Sequence, residues 1–316
     1  MIYMVEVFTQ EFVVKLLATT IHMSTPILFA ALGELIAERS GVLNLGLEGI
    51  MLIGAFAGFW ITYSLNNLYL GIIFSLIVGA LLGLFVAFFT VTLRKDQIVT
   101  GVGVWILGLG LSSFLFRVAF PSFKSYPRVD VFKPIEIPFL SEIPFIGKIL
   151  FQQNILVYLT FLSVLICSLV LNKTTFGLKI RAVGENPKAA ESLGVNVYGV
   201  RYATVILGSA LAGIGGASLS IGSLGTFVDN MVAGRGFIAI AVVIFGRWNP
   251  YGVLFGALLF GTMDSIQISF QALGVAIPYQ FLLMLPYVAT ILALLMLIKK
   301  KIVAPAALCI PYERET

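Results

Sequence analysis

The sequence predicts an all-α fold, a polytopic integral membrane helix bundle of about eight to ten transmembrane helices, some broken or re-entrant. Three observations predict it. Of the 316 residues, 59% are hydrophobic and only 11% are charged, against roughly 45–50% and 25% in soluble domains. Mean hydropathy is +1.03. The apolar residues fall in runs of about 20, the length a helix needs to cross the hydrocarbon core. So few charges cannot coat water-soluble domains. This excludes a soluble enzyme, a disordered chain and a nucleic-acid partner, and residues 1–316 read as one transmembrane domain surrounded by lipid.

The candidate spans are Phe12–Ala37, Gly46–Leu65, Leu68–Leu93, Ile98–Phe120, Ile149–Leu171, Tyr202–Leu224, Tyr251–Phe270 and Pro278–Ile298. A further run, Gly236–Trp248, is about 13 residues and too short to cross alone. It must borrow from 225–235 or be a broken or re-entrant helix, which survives at membrane depth only where protein or a wet cavity satisfies its backbone. Pro26 and Pro286 lie inside spans and predict kinks, since each removes a hydrogen bond to the carbonyl four residues earlier. Small residues recur four apart at Gly208, Ala212, Gly216 and Ser220, at Gly79 and Gly83, and at Gly252 and Gly256. Such stripes let helices approach closely in lipid.

Basic residues set the orientation. Arg94 and Lys95, then Lys173, Lys179, Arg181, Lys188 and Arg201, then Lys299, Lys300 and Lys301 mark three loops as cytoplasmic by the positive-inside rule. The neutral connections Leu65–Leu68 and Gln271–Ile277, with the proline-rich 121–148 loop, fall outside the cell. Plain counting puts the N-terminus outside, a count that turns on the path of residues 34–48. The first ten residues carry Glu6 and no Lys or Arg, so the first span is expected to remain as an anchor rather than be cleaved.

Chemistry is sparse. The only histidine is His22, and the two cysteines, Cys167 and Cys309, form no metal-ligand spacing. No GxxxxGK[ST] loop occurs, so no phosphate cradle is present. No cofactor is expected in this chain, and ATP, if it drives the cycle, must bind another polypeptide.

The 172–201 loop is about 29 residues, long for a plain connector. Within it, Gly184, Glu185, Asn186, Pro187, Lys188, Ala189, Ala190, Glu191 and Gly194 form a helix signal. Asn186 suits an N-cap, Pro187 suits the first helical position and Gly194 suits a left-handed stop. A short, rigid helix with few large apolar side chains is a poor lipid anchor and fits docking into a cytoplasmic partner.

Ionisable residues within spans point to function: Lys15, Glu34, Glu48, Arg117 and Asp264. Lys15 and Arg117 lie near span ends and can snorkel. Glu34, Glu38 and Arg39 are expected to pair locally. Asn44 and Glu48 are four apart and would share a helix face, with Gly41, Gly46 and Gly49 loosening the backbone around them. A glycine-broken helix start is a device by which transporters expose backbone donors. Asp264 and Gln267, three apart, would share a face of another span. These four are candidate pathway residues, with packing or helix locking as the competing role.

AVGENPKAAESLGV resembles the cytoplasmic coupling loop of ABC importer permeases, whose mark is an EAA-type segment followed by glycine. Ala189, Ala190, Glu191 and Gly194 match it, although AAE stands where EAA is usual. GELIAERSGVLNLGLEGIMLIGAFAG at 33–58 and GRGFIAIAVVIFGRWNPYGVLFGALLFG at 234–261 resemble permeases of the ribose, branched-chain amino acid and nucleoside group. ERSGVLNLGLEG is most similar to nucleoside permeases that work with a basic-membrane-protein-type lipoprotein. The resemblance implies a cytoplasmic-membrane nucleoside permease without enzymatic activity, an ATPase subunit, a second permease that is a paralogue or a copy of this chain, and an extracytoplasmic solute-binding lipoprotein. A nucleoside asks for an aromatic face, which makes Trp105, set among glycines, a further pathway candidate. A permease for ribose-like sugars is the alternative within the fold. An ion-coupled secondary transporter leaves the coupling-type loop unexplained, and a membrane enzyme lacks paired acid–base groups.

Overall fold

Apolar length decides the architecture. The computed structural model describes residues 9–121, 127–273, 278–286, 288, 291 and 304–314. Helix α1 spans Gln10–Arg39, α2 Leu47–Leu65, and α3 Leu68–Ala87 with a π turn over Phe88–Thr92. Helix α4 is Gln97–Ala119. Two-residue strands β1 (Ile135–Glu136) and β2 (Gln152–Gln153) pair antiparallel around the short α5 (Ile146–Leu150). Then come α6 Ile155–Lys173, α7 Thr175–Glu185, α8 Pro187–Ser192 and α9 Val197–Leu219, which a π turn extends through Leu224. Helices α10 (Arg235–Phe245), α11 (Pro250–Ala272) and α12 (Tyr279–Leu283) follow. Seven of these helices are long and apolar enough to cross a membrane. The protein is thus an all-α polytopic bundle.

Helix starts are written locally. Asn67, Asp96, Asn154, Thr174, Asn186, Asn196 and Asn249 each accept a backbone N–H from the first turn of the helix they precede. Each such cap contributes about 1 kcal/mol.

Helix α9 is the axis of the bundle and the most buried of the long apolar helices. Its small residues make that possible. A Cβ on Gly33 of α1 would stand 2.9 Å from the carbonyl carbon of Gly208, and one on Gly54 of α2 would stand 2.7 Å from the Cα of Gly213. Backbones in such contact gain dispersion energy that lipid tails cannot match. Ser220 adds a hydrogen bond to the Ala55 carbonyl at 2.8 Å.

The two ends differ. One gathers residues 40–46, 94–96, α7, α8, 246–249 and the 304–314 segment, joined by bonds such as Ala307 N–H to the Gly184 carbonyl at 2.8 Å. The other gathers 127–154 and the turn after α9, where Val129 N–H meets the Gly225 carbonyl at 2.8 Å. The basic loops that are described thus share one end.

Several boundaries differ from the sequence reading. The span expected at Ile149–Leu171 begins at Ile155, because the β1–β2 pair and α5 take up the preceding residues. The span expected from Tyr202 starts at Val197, capped by Asn196. Arg201 is therefore a helix residue, only 1% exposed, and no loop charge. Helix α1 runs on through Pro26. Of the expected Pro278–Ile298 span only the beginning is described. Most of it, Lys299, Lys300 and Lys301, residues 122–126 of the 121–148 loop, and 274–277 lie outside the described residues.

Candidate functional site

The short run Gly236–Trp248 is the key to the interior. It forms α10, an 11-residue helix preceded by irregular backbone at 225–234. A helix leaves its first N–H groups without intrahelical partners. Here the buried Glu48 of α2 supplies them: Oε1 accepts from Gly234 N–H at 2.8 Å and Oε2 from Gly236 N–H at 2.7 Å. A carboxylate at a helix N-terminus also meets the positive end of the helix dipole. Gly234 has φ +86°, and a Cβ on Gly236 would stand 2.6 Å from the Glu48 Cα, so both glycines serve this approach.

Two more candidates meet at the same place. Between Gly234 and Gly236, Arg235 sends its guanidinium to Asp264 Oδ2 of α11 at 2.9 Å, with both side chains mostly buried. Trp105 of α4 stands edge-on to Phe237 of α10, ring centroids 5.1 Å apart and planes at 87°. Glu48, Trp105 and Asp264 thus converge on the first turn of α10 from three helices.

Asn44 does not join them as expected. Residues 42–44 are irregular and α2 starts only at Leu47, so Asn44 and Glu48 share no helix face. Asn44 instead donates its backbone N–H to Glu34 Oε1 at 2.8 Å and its side-chain amide to Ser209 Oγ at 3.3 Å. It locks the 40–46 connector to α1 and α9. Gln267 is half-buried beside Asp264 and makes none of these contacts.

The expected local pairing among Glu34, Glu38 and Arg39 is replaced by a tie to the far end of α10. Glu38 Oε2 accepts the Trp248 indole N–H at 2.6 Å. Arg39 donates twice to the Trp248 carbonyl, at 2.9 and 2.7 Å. The reason is geometric: Trp248 follows α10 with φ +52°, which turns its backbone and ring toward α1. The half-helix is therefore gripped at both ends by side chains of α1 and α2. Sequence reasoning missed Arg235, Glu38 and Trp248 in this role. The one available signal was that Arg235 opens a run too short to span.

At the basic end, the expected short helix forms as α8, directly after α7: Asn186 caps it, its Oδ1 accepting Ala189 N–H at 3.0 Å. Pro187 opens α8 and Gly194 follows it with φ +82°. Glu185, Lys188 and Ala189 face solvent, and Leu193 is 84% exposed. Ala190 is buried beneath them, and Gly184 packs against the end of α1, where a Cβ would stand 2.9 Å from the Arg39 carbonyl carbon.

Comparison with known proteins fits this architecture. A family model described as branched-chain amino acid transport system, permease component, matches residues 16–299. The chain is 40% identical to the nucleoside ABC transporter permease protein NupC of Lactococcus lactis subsp. cremoris, over 92% of this chain and 94% of that protein. It is 38% identical to the putative glucose ABC transporter permease protein TsgC13 of Haloferax volcanii, over 84% and 81%. It is 36% identical to the guanosine ABC transporter permease protein NupQ of Bacillus subtilis, over 93% and 94%. No solved structure matches the chain. The family implies an ATPase partner and a second permease, and its members are transport components. With that model matching nearly its whole length and its helices able to span a bilayer, the chain belongs to the branched-chain amino acid transport system permease family, as a multi-pass ABC permease of the plasma membrane.

Proposed function

We propose that this chain is the transmembrane subunit of an ABC importer that passes nucleosides into the cell. The observation that carries the cargo is the pair of relatives named for nucleoside and guanosine transport, each aligned over more than nine-tenths of this chain. The interior supports a neutral cargo. Asp264 is paired with Arg235 and Glu48 with backbone donors, so neither acts as a countercharge for solute. Glu48 holds the start of α10, Asp264 fixes Arg235, and Trp105 with Phe237 offers an aromatic edge. Asn44 and Gln267 lie outside this cluster and are supporting positions.

The chain binds no cofactor and catalyses no reaction. Its motor is a separate cytoplasmic ATPase that docks on 172–201, with α8 and residues 184–194 as the lever. The 121–148 loop faces an external solute-binding lipoprotein, and a second, paralogous permease completes the channel. The relative named for glucose supports a second reading, a simple-sugar cargo.

Reconstitution of the four components in liposomes tests both. Labelled nucleoside should accumulate only with ATP, persist with an ionophore present, and yield to unlabelled nucleoside rather than to glucose. Competition by glucose alone transfers the cargo to the second reading. Accumulation without ATP overturns the class.

A further inference from the structure

The segment 304–314 is woven into the basic end at every level. Its backbone is held by Ala307 N–H to the Gly184 carbonyl at 2.8 Å and Cys309 N–H to the Gly41 carbonyl at 3.2 Å. Arg201, buried in the first turns of α9, spans Ser40 and this segment, donating to the Ser40 carbonyl at 3.2 Å and to the Ile310 carbonyl at 3.1 Å. Tyr312, 5% exposed, stacks edge-on with Tyr198 at 5.6 Å and gives its hydroxyl to Glu191 of α8. Arg314 pairs with the same carboxylate at 3.2 Å, and Glu313 pairs with Arg94. A cavity of about 300 Å³ lies between α8 and the segment, lined by Lys188, Glu191, Ser192, Tyr312 and Arg314. Burial, then the hydrogen bond to Glu191 and its charge, push the Tyr312 phenol up to about 12 against the opposing pull of Arg314, so it remains a hydrogen-bond donor.

From this geometry we infer that 304–314 is the second half of the coupling lever: Tyr312, through Glu191, is a positioning residue that sets α8 against the bundle. Arg314 is 70% exposed, and exposed ion pairs contribute little, so the buried Tyr312 carries the grip. The inference rests on the reading of α8 as the contact with the ATPase. Without the segment, α8 is tied to the bundle through Asn186, Ala190 and Gly184. With it, a push on α8 is passed to α9 through Tyr198 and Arg201 and to the 40–46 connector through Gly41.

The test uses the assembled complex in liposomes and reads solute moved per ATP hydrolysed. Tyr312→Phe keeps the ring and removes only the hydroxyl. It should lower that ratio about threefold and speed hydrogen exchange at the amides of 189–195 about fivefold, the scale of one lost hydrogen bond. Glu191→Gln, which still accepts, should restore most of the ratio lost in Glu191→Ala. Tyr312→Phe added to Glu191→Ala should cost nothing further, because both remove one interaction. An unchanged ratio in Tyr312→Phe, or an additive loss in the double variant, overturns the inference. Scrambling 184–194 in parallel separates the two levels. If transport survives scrambling, the reading of α8 itself fails. If scrambling abolishes transport while Tyr312→Phe is silent, only the role of the segment fails.

Discussion

Two short helices of this protein, α10 and α8, are held in opposite ways. Helix α10 is fixed mainly by buried groups: Glu48 at its start, and Glu38 with the half-buried Arg39 around Trp248 at its end. Helix α8 is fixed mostly by groups near the surface, its own Asn186 cap and the partly exposed Glu191, with Tyr312 as a buried side-chain partner. Charge-assisted bonds in a dry interior are strong, and costly to break. The same bonds at a wet surface are weak and exchangeable. An element that shapes a pathway gains from the first arrangement. An element that must respond to a partner gains from the second.

The comparison breaks most readily at α10. Glu48→Ala leaves the half-buried Gly234 N–H and the buried Gly236 N–H without their acceptor, at about 1.5–3 kcal/mol for each lost charged bond. Loss of assembled permease from the membrane and a lower detergent Tm are the expected outcome. Normal Tm and uptake would show that the cap is dispensable. Next in size is Gly236→Ala, whose Cβ would meet the Glu48 backbone. Overpacking of this kind costs about 1–3 kcal/mol, and we expect uptake to fall roughly tenfold while α8 continues to bind the ATPase.

At the surface the effects shrink. Asn186→Ala removes a cap of about 1 kcal/mol. It should lower solute moved per ATP several-fold with permease abundance and Tm unchanged, and Asn186→Asp should restore it. Arg314→Ala is the smallest change, below about 1 kcal/mol, detectable as faster hydrogen exchange in α8 but not as lost uptake. If Arg314→Ala cost more than Glu48→Ala, the contrast between buried and exposed anchoring would be reversed.

The spans were legible because bilayer crossing imposes length and hydropathy on the sequence, and α10 was legible as a run that is too short. The cap of α8 was legible because Asn186, Pro187 and Gly194 act within a few residues of themselves. What sequence spacing could not give was long-range pairing. Asn44 and Glu48 look like one helix face until Gly41, at φ +92°, and the delayed start of α2 separate them. Arg201 looks like a loop charge until carbonyls of Ser40 and Ile310 enclose it. Segment 304–314 carries no periodic signal, since carbonyls and side chains from distant parts of the chain hold it.

The account rests on α8 meeting the ATPase at the cytoplasmic face. Leu193, 84% exposed at the end of α8, allows a direct measurement. In a Cys309→Ser background, which removes the exposed native thiol, Leu193→Cys is treated with a short thiol-to-amine cross-linker in inside-out vesicles holding the whole complex. The account predicts cross-linking to the ATPase subunit, with a yield that changes when ATP is bound. Labelling of that thiol from the extracellular side alone, with no ATPase adduct, would contradict it.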